Sequence, residues 1–359
     1  MKMPVRILLI ILCAAMIIAL PFTVSSPNML NDVKMELMNE EDDEDEIDFG
    51  RLFFSSAMAE EETEEEVAEE AADVELEEEA LGDGELSAHP EWALPLDFTP
   101  GQEPDASLYS ESTYEDDTIR VRIEEQSMDD GTKMFVARIQ ISDPSQIRTG
   151  VANPEKLGSS KTKTVGAMAK TFNAVIAING DNYVDKPEKT TFEYRMTQKI
   201  RSKSNKTKDI LVIDDQGDFH LFVKSKGIKE FPKELKDSGR TLVNAFTFGP
   251  ALVKDGELLT LDDNYGYNPH GREPRAAIGQ TGPLSYVLVI IQAQDRDGKT
   301  GMSQGKLAEF MYGLGCTQAF NLDGGNSAEI VFGSRSIKGM PSGDERTLSD
   351  IIYFASIQN

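Results

Sequence analysis

A long acidic stretch limits how much of this chain can fold into a packed domain. From Glu40 to Glu79 the sequence contains 21 acidic residues and a single basic residue, Arg51. This stretch carries −20 of the net charge of −27, so the rest of the chain is only mildly acidic. Like charges at this density repel one another and bury little apolar surface. We therefore expect a disordered acidic spacer over residues 27–108 and a folded domain over residues 109–359.

The N-terminal segment, residues 1–26, contains the apolar run ILLIILCAAMIIALPFTV at positions 7–24, preceded by Lys2 and Arg6. A run of this length fits either an uncleaved membrane anchor or a secretory signal peptide. In both cases the basic end stays inside and the rest of the chain is exported. We expect an anchor in the cell membrane with an extracytoplasmic domain, or a secreted protein if the segment is cleaved. The acidic charge argues against a nucleic-acid partner.

The inventory of reactive side chains is narrow. Cys13 lies in the apolar run, which leaves Cys316 as a lone thiol and excludes a disulfide within the exported part. The histidines His89, His220 and His270 form no metal-binding motif, and the chain has no Gly-x-Ser-x-Gly sequence and no phosphate loop of the Walker type. The available chemistry is that of carboxylates, amides and arginines.

The pattern of the folded part predicts many strands and few helices. TIRVRIEEQ (118–126) and KMFVARIQI (133–141) alternate apolar and polar residues, which predicts a hairpin. The stretch 303–315 has helical spacing, with Ser303 as its cap and Gly315 at its end. The expected fold class is α+β, a single domain built on a mixed, largely antiparallel β-sheet with a few helices.

Near the C-terminus an apolar run breaks abruptly in QAFNLDGGNSAEIVFGS, residues 318–334. In one interpretation the break is a hairpin turn, with Asp323 and Asn326 as turn formers. In the other, two glycines expose the backbone to a ligand, next to a carboxylate, an amide and a hydroxyl. Two other predicted strands adjoin similar polar segments, Asn179 to Asn182 and Pro274–Arg275. Sites in sheet proteins collect at strand ends, so the three segments are candidates for one site.

These stretches together resemble the phosphodiester glycosidase family, which includes a lysosomal uncovering enzyme and bacterial envelope proteins described as exopolysaccharide-related. The resemblance is carried by AINGDNY, PRAAIGQ, GMSQGKLAEFMYGLGCTQAFNLDGGNSAEIVF and ERTLSDIIYFA, and covers about residues 165–357. It implies a reaction that removes a sugar from a sugar-1-phosphodiester and leaves a phosphomonoester. The chain departs from the usual family pattern at Asn326, which replaces a glycine, at Ala328, which replaces a serine, and at Ala276, which replaces a threonine.

The resemblance also implies the site residues. The catalytic candidates are Asp323, Asp181 and Arg275. The substrate-binding candidates that it implies are Asn179, Gly180, Asn321, Gly324, Gly325 and Ser327. Asn326, where the chain departs from the family pattern, is a further substrate-binding candidate.

Elementary chemistry suggests a role for each type of group. Cleavage at C1 of a glycosyl phosphodiester needs a carboxylate to stabilise an oxocarbenium-like state or to activate water, and Asp323 is preferred over Asp181 for this role. Arg275 suits bidentate binding of the phosphodiester. The backbone N–H groups of Gly324 and Gly325 could add an anion-binding nest.

The predicted function is therefore an extracytoplasmic hydrolase acting on a sugar-1-phosphodiester in an envelope glycopolymer or exopolysaccharide, without a cofactor. One alternative is a non-catalytic envelope module that binds anionic glycopolymers through the same pocket. Another is a metal-dependent phosphodiesterase in which Asp181, Asp323 and Asn321 ligate a hard cation such as Ca²⁺. The expected partners are the sugar-phosphate or glycopolymer substrate and, through the N-terminal segment, the membrane.

Overall fold

The computed structural model describes residues 86–183, 192–294 and 299–358. The predicted membrane segment and the acidic block from Glu40 to Glu79 lie outside these residues. No helix within the described ranges is long and apolar enough to cross a membrane.

The described residues form 18 strands and three α-helices. In chain order the strands are β1 Thr113–Glu115, β2 Ile119–Ser127, β3 Lys133–Ile141, β4 Ile147–Val151, β5 Ala174–Asn179, β6 Phe192–Arg195, β7 Gln198–Ser202, β8 Ile210–Asp214, β9 Phe219–Phe222, β10 Leu242–Phe246, β11 Ala251–Lys254, β12 Glu257–Leu258, β13 Arg275–Gly282, β14 Ser285–Ile291, β15 Gln318–Asn321, β16 Glu329–Phe332, β17 Arg335–Lys338 and β18 Asp350–Ala355. The helices are α1 Val165–Thr171, α2 Phe231–Asp237 and α3 Gln304–Gly313. The prediction of a strand-rich fold with few helices is confirmed.

The strands form three sheets rather than one. The first has the order β1-β2-β3-β14-β13-β15-β11-β12, the second β7-β6-β10-β8-β9, and the third β17-β16-β5-β18-β4. Every strand pairing in the described part of the chain is antiparallel, so the largely antiparallel character is confirmed and the mixed character is not found. One large apolar core draws side chains from all three sheets, among them Ile278, Phe246 and Ile352.

Locally encoded elements form where the sequence predicts them. The hairpin β2–β3 pairs Ile119 with Ile141 and Ser127 with Lys133, and the alternating burial of β2 follows its apolar pattern. Helix α3 begins after Ser303, whose hydroxyl accepts a hydrogen bond from the Lys306 N–H. A side-chain cap of this kind satisfies one of the N–H groups that a helix leaves unpaired at its start.

The segment before Tyr109, where the sequence analysis placed the start of the domain, also packs against it. Leu94 and Phe98 contact the apolar cluster around α1. The buried guanidinium of Arg148 donates hydrogen bonds to three carbonyls of this segment, those of Pro95, Asp97 and Thr99, at 3.0, 2.7 and 3.0 Å. The packed part of the chain therefore extends N-terminally to about residue 94.

Four segments of the chain pass from one sheet to another. Residues 142–146 lead from β3 in the first sheet to β4 in the third, and the other three, which we call the crossover segments, bear on the site. The segment 179–183 leaves β5 in the third sheet on the way to β6 in the second. The segment 247–250 leads from β10 in the second sheet to β11 in the first, and the segment 322–328 leads from β15 in the first sheet to β16 in the third. Because β15 and β16 lie in different sheets, the hairpin interpretation of the Asp-Gly-Gly-Asn-Ser stretch is wrong.

Candidate functional site

The three crossover segments meet and are joined by hydrogen bonds. The Asn179 side chain donates to the Asp323 carbonyl at 2.8 Å. The Thr247 N–H donates to Asp181 Oδ2 at 2.9 Å, and the Asn321 side chain donates to the Gly249 carbonyl at 2.8 Å. The backbone of the third predicted polar segment also joins them, because the Gly325 N–H donates to the Pro274 carbonyl at 2.9 Å. All three predicted polar segments, those at Asn179, Pro274 and Asp323, therefore come together at one junction of the three sheets.

Asn179 is the central connector of this junction. It is fully buried at the end of β5, and besides the bond to Asp323 its Oδ1 accepts a hydrogen bond from the Glu329 N–H at 3.2 Å. Its side chain thus spans both ends of the segment 322–328 and fixes where that segment leaves the sheet. In this structure the Asn179 side chain holds the Asp323 backbone, and its expected part in substrate binding stays a prediction.

Two glycines are required here by the close approach of other groups. A Cβ on Gly180 would lie 2.1 Å from Asp350 Oδ2, and a Cβ on Gly324 would lie 2.7 Å from the Pro274 carbonyl oxygen. Both distances are far below van der Waals contact, so only glycine fits. These glycines make room for neighbouring protein groups.

Asp323, Ser327 and Arg346 form the accessible part of the junction. The Arg346 Nη1 donates to the Ser327 hydroxyl at 2.6 Å and lies 3.4 Å from Asp323 Oδ2. The Asp323 side chain retains 16% of its exposure and that of Arg346 retains 36%. A carboxylate, a hydroxyl and a guanidinium therefore lie side by side. A solute can reach the carboxylate of Asp323 and the guanidinium of Arg346, whereas the Ser327 hydroxyl is buried.

Asp181, by contrast, lies in a closed cluster with Glu193, Arg195 and Asp350, which we call the Arg195 cluster. All four side chains have no exposed surface. The Arg195 Nη2 lies 2.7 Å from Asp181, 2.9 Å from Asp350 and 3.1 Å from Glu193. Both oxygens of Asp181 already accept hydrogen bonds, from Arg195 and from the Thr247 N–H. This environment suits a structural carboxylate better than the catalytic one considered from the sequence.

The Arg195 cluster perturbs its acids strongly. Burial raises the pKa of Glu193 well above its ordinary value, and the charges of Asp181 and Asp350 add to the effect while Arg195 opposes it. Burial also raises the pKa of Asp350, against the lowering influence of Arg195. Desolvation disfavours a buried anion, and one guanidinium cannot neutralise three carboxylates.

Arg275 does not take the position expected for a phosphate ligand. Its guanidinium donates four hydrogen bonds to backbone carbonyls, with Nε bonded to Met302 O and the two Nη atoms bonded to Tyr267 O, Asn268 O and Gly271 O. The side chain is buried, and burial lowers the pKa of Arg275 to about 10. Its planar fork holds the loop 267–271 against the start of β13.

The expected anion-binding nest is also partly occupied. The Gly325 N–H donates to the Pro274 carbonyl at 2.9 Å, so it does not point to a ligand. Two amide oxygens of the predicted site, Asn321 Oδ1 and Asn326 Oδ1, are buried without a hydrogen-bond partner among the described residues. Such acceptors are costly to bury unpaired, and a ligand hydroxyl or water could satisfy them.

The described residues contain no group of three or more histidine, cysteine, aspartate or glutamate side chains arranged to hold a metal ion. The acids of the Arg195 cluster surround a guanidinium, which occupies the position of a cation. Asp181 is bonded to this guanidinium, so it is not placed to ligate Ca²⁺ together with Asp323 and Asn321, as the metal-dependent alternative requires.

A cavity of about 1300 Å³ lies between the β16–β17 edge, α1 and residues 103–111. Glu329 and Glu345 line it, and each is close in sequence to the accessible trio of Asp323, Ser327 and Arg346. No predicted site residue is among the described residues that line this cavity.

Four residues of the junction were not singled out from the sequence: Glu193, Arg195, Arg346 and Asp350. Arg346 and Asp350 lie within the closing motif ERTLSDIIYFA, so a signal for them was present. Glu193 and Arg195 lie on β6, whose short sequence FEYR gave no signal beyond charged residues in an apolar strand.

Comparison with known proteins agrees with this architecture. The sequence matches the phosphodiester glycosidase family over residues 172–355. It is 27% identical over 202 residues to the SPbeta prophage-derived uncharacterized protein YomE of Bacillus subtilis, a match covering 54% of this chain and 30% of that protein. The chain thus spans less than a third of this relative's length.

Among solved structures, the fold resembles the catalytic domain of zebrafish N-acetylglucosamine-1-phosphodiester alpha-N-acetylglucosaminidase, auto-inhibited by its pro-peptide. The TM-score is 0.50 at 16% identity, over 71% of this chain and 87% of the zebrafish chain. At this identity the likeness concerns the fold alone. The family match, however, covers more than half of the sequence and includes the three crossover segments. The chain belongs to the phosphodiester glycosidase family.

Proposed function

We propose that this protein is a hydrolase that removes a sugar from a sugar-1-phosphodiester, with Asp323 as its catalytic carboxylate. The observation that carries the proposal is the contact of one half-exposed guanidinium, that of Arg346, with both Asp323 and Ser327. Family membership supplies the reaction class, and this trio supplies groups suited to it.

The reaction adds water across the C1–O bond. The hydroxyl group of water ends on C1 of the sugar, and its proton ends on the phosphate oxygen that leaves. Asp323 acts either as the nucleophile at C1 or as the base that activates water. The phosphomonoester that leaves gains charge as the bond breaks, and a guanidinium is well matched to phosphate oxygens.

Arg346 takes over the phosphate-binding role that the sequence analysis gave to Arg275. The donors of Arg275 are engaged by carbonyls inside the protein, whereas Arg346 lies at the surface beside the carboxylate. An ion pair between partly exposed groups is worth only about 0–1 kcal/mol. The Arg346–Asp323 contact can therefore be exchanged for a contact with an incoming phosphodiester at little cost.

The natural substrate in this proposal is a glycopolymer of the cell envelope or an exopolysaccharide. The apolar segment 7–24 after Lys2 and Arg6 supports an extracytoplasmic location, and the acidic stretch supports a spacer between the membrane and the domain.

A p-nitrophenyl sugar-1-phosphodiester tests the reaction directly. Cleavage of the C1–O bond yields free sugar and p-nitrophenyl phosphate, so colour appears only after a phosphatase is added. Immediate release of p-nitrophenol would instead indicate P–O cleavage, and its loss with a chelator would favour the metal-dependent phosphodiesterase. Absence of any turnover together with binding of an anionic glycopolymer would favour the non-catalytic module.

Two arginine substitutions make a matched pair for this assay. Arg346→Lys keeps the charge but loses the planar fork, so it should reduce kcat/KM by roughly tenfold or more. Arg335→Lys is the control, because Arg335 is an exposed residue of β17 that donates to the Glu111 carbonyl. Equal activity of the two variants would remove Arg346 from phosphate binding.

A further inference from the structure

The hydrogen bonds of Arg195 account for every N–H group that it has. Its Nε donates to Asp350 Oδ2 at 3.1 Å, and its Nη1 donates to the carbonyls of Tyr194 and Ala245. Its Nη2 donates to Asp181 Oδ1 at 2.7 Å and to Asp350 Oδ2 at 2.9 Å. These are five hydrogen bonds, and a guanidinium has five N–H donors.

Glu193 is the acid of the Arg195 cluster that none of these five hydrogen bonds reaches. Its Oε2 lies 3.1 Å from Arg195 Nη2, but neither of its carboxyl oxygens has a hydrogen-bond partner among the described residues. The side chain has no exposed surface. An ionised carboxylate in this position would be buried beside two other carboxylates without a donor of its own, which is strongly unfavourable.

The proton of the cluster belongs on Glu193 and not on its neighbours. Asp350 accepts hydrogen bonds from Arg195 and, at 2.7 Å, from the Ser349 hydroxyl. Asp181 accepts from Arg195 and from the Thr247 N–H. Each aspartate accepts hydrogen bonds on both of its oxygens, as an ionised carboxylate does, and Asp181 still has lone pairs for a further donor.

We propose that Glu193 is a neutral carboxylic acid in the folded protein and that it donates its proton to Asp181. The proton allows a single guanidinium to hold three carboxyl groups at the junction of the sheets. Glu193 is thereby a positioning residue for Asp323, because Asp181 belongs to the same segment as Asn179, whose side chain holds the Asp323 carbonyl.

The charged and titratable groups around Glu193 are few. Arg195, Asp181 and Asp350 share its cluster, and the Tyr183 ring lies 5.2 Å from the Arg195 guanidinium carbon. Arg201 of β7 pairs with Glu193 in register, and its Nη1 donates to the Tyr183 carbonyl. Burial and the two neighbouring carboxylates raise the pKa of Glu193.

The raised pKa fixes the direction of the pH dependence. Above the ordinary glutamate pKa of 4.5 the unfolded chain loses this proton, whereas the folded protein keeps it up to its raised pKa. Glu193 therefore contributes stability that is fully present below pH 4.5 and is lost as the pH rises through the folded pKa. Between the two pKa values, one retained proton changes the unfolding equilibrium constant about tenfold per pH unit.

Glu193→Gln tests the proposal because glutamine is a neutral donor of nearly the same shape. Its infrared spectrum should lack the C=O stretching band of a protonated carboxylic acid that wild type shows at neutral pH. Glu309→Gln is the control, since Glu309 lies exposed on α3 beside Lys306, and it should leave the band unchanged. Selective ¹³C labelling of glutamate in wild type should shift the band, which assigns it to glutamate without a variant.

Stability and activity give independent readings. As the pH rises from about 5, the unfolding equilibrium constant of Glu193→Gln should fall relative to that of wild type, by up to about tenfold per pH unit. Its kcat/KM should stay within about threefold of wild type near neutral pH and persist further into alkaline pH.

The infrared and stability measurements do not depend on the reaction, whereas the activity measurement rests on the proposed function. The proposal for Glu193 and the proposed function can therefore fail separately. An unchanged carboxylic-acid band in Glu193→Gln, together with no band that shifts on glutamate labelling in wild type, would overturn the proposal. A Glu193→Gln protein that does not fold would count against it as well, because a neutral donor should be tolerated.

Discussion

The two aspartates considered for catalysis should fail in different ways when each is replaced by asparagine. Asp323 is partly exposed and lies 3.4 Å from a half-exposed guanidinium, so loss of its charge should change the free energy of unfolding by about 1 kcal/mol or less. If it is the nucleophile or base, turnover should fall by ~10² or more, which corresponds to about 2.7 kcal/mol in the activation barrier.

Asp181→Asn should show the opposite result. Both oxygens of Asp181 accept hydrogen bonds, one from Arg195 and one from the Thr247 N–H. Asparagine offers a single acceptor oxygen, so its NH₂ group must face one of these donors in either orientation. A buried polar group left unpaired costs about 1–3 kcal/mol, which lowers the urea midpoint by roughly 0.3–1 M for a slope near 3 kcal/mol per M.

The assay combines urea unfolding with turnover of the p-nitrophenyl sugar-1-phosphodiester for both variants and wild type. We expect Asp323→Asn to be stable and inactive, and Asp181→Asn to be less stable with much of its turnover retained when folded. The reverse pattern, a stable but inactive Asp181→Asn beside an active Asp323→Asn, would refute the reasoning and move the catalytic role to Asp181.

Four further predictions concern the framework of the site and the N-terminal part of the chain. Arg275→Lys should lower the free energy of unfolding by about 2–4 kcal/mol, because lysine cannot serve four carbonyls in one plane; an unchanged urea midpoint would contradict its structural role. Gly180→Ala should cost about 3 kcal/mol or more, since its Cβ would meet the Asp350 carboxylate at 2.1 Å; wild-type stability would show that the junction adapts. Deletion of residues 40–79 should leave the thermal midpoint of the domain nearly unchanged, and protease added to intact cells should remove the domain. A clear drop in that midpoint would speak against a spacer, and full protection in unlysed cells would speak against an exported domain.

The sequence predicts those parts of the fold that depend on neighbouring residues. The alternation in residues 118–141 specifies a hairpin, and the spacing after Ser303 specifies a capped helix, because both patterns act over a few residues. The assignment of strands to sheets depends on contacts between distant residues. For this reason Asp-Gly-Gly-Asn-Ser could be read as a hairpin turn, although it joins two different sheets.

The site was predictable only to the extent that side-chain type determines role. Arginine is suited to phosphate, yet an arginine surrounded by four carbonyls is already satisfied, and the sequence around Arg275 does not reveal those carbonyls. Likewise, Arg195 holds Asp181, 14 residues away, and Asp350, 155 residues away. No local pattern links these positions, so the cluster emerges only from the folded chain.

Burial separates the roles of the two arginines that contact carboxylates at the junction. Arg195 has no exposed surface and all five of its N–H groups are bonded, so removing one of its partners would leave a buried N–H donor unpaired, at a cost of about 1–3 kcal/mol. Arg346 is 36% exposed, and its pairing with Asp323 is worth about 1 kcal/mol or less. A phosphodiester can displace the weak pair but not the strong one. The junction therefore combines a fixed ion cluster, which keeps Asn179 and the Asp323 backbone in place, with a weaker ion pair, that of Arg346 and Asp323, which a substrate phosphate can exchange.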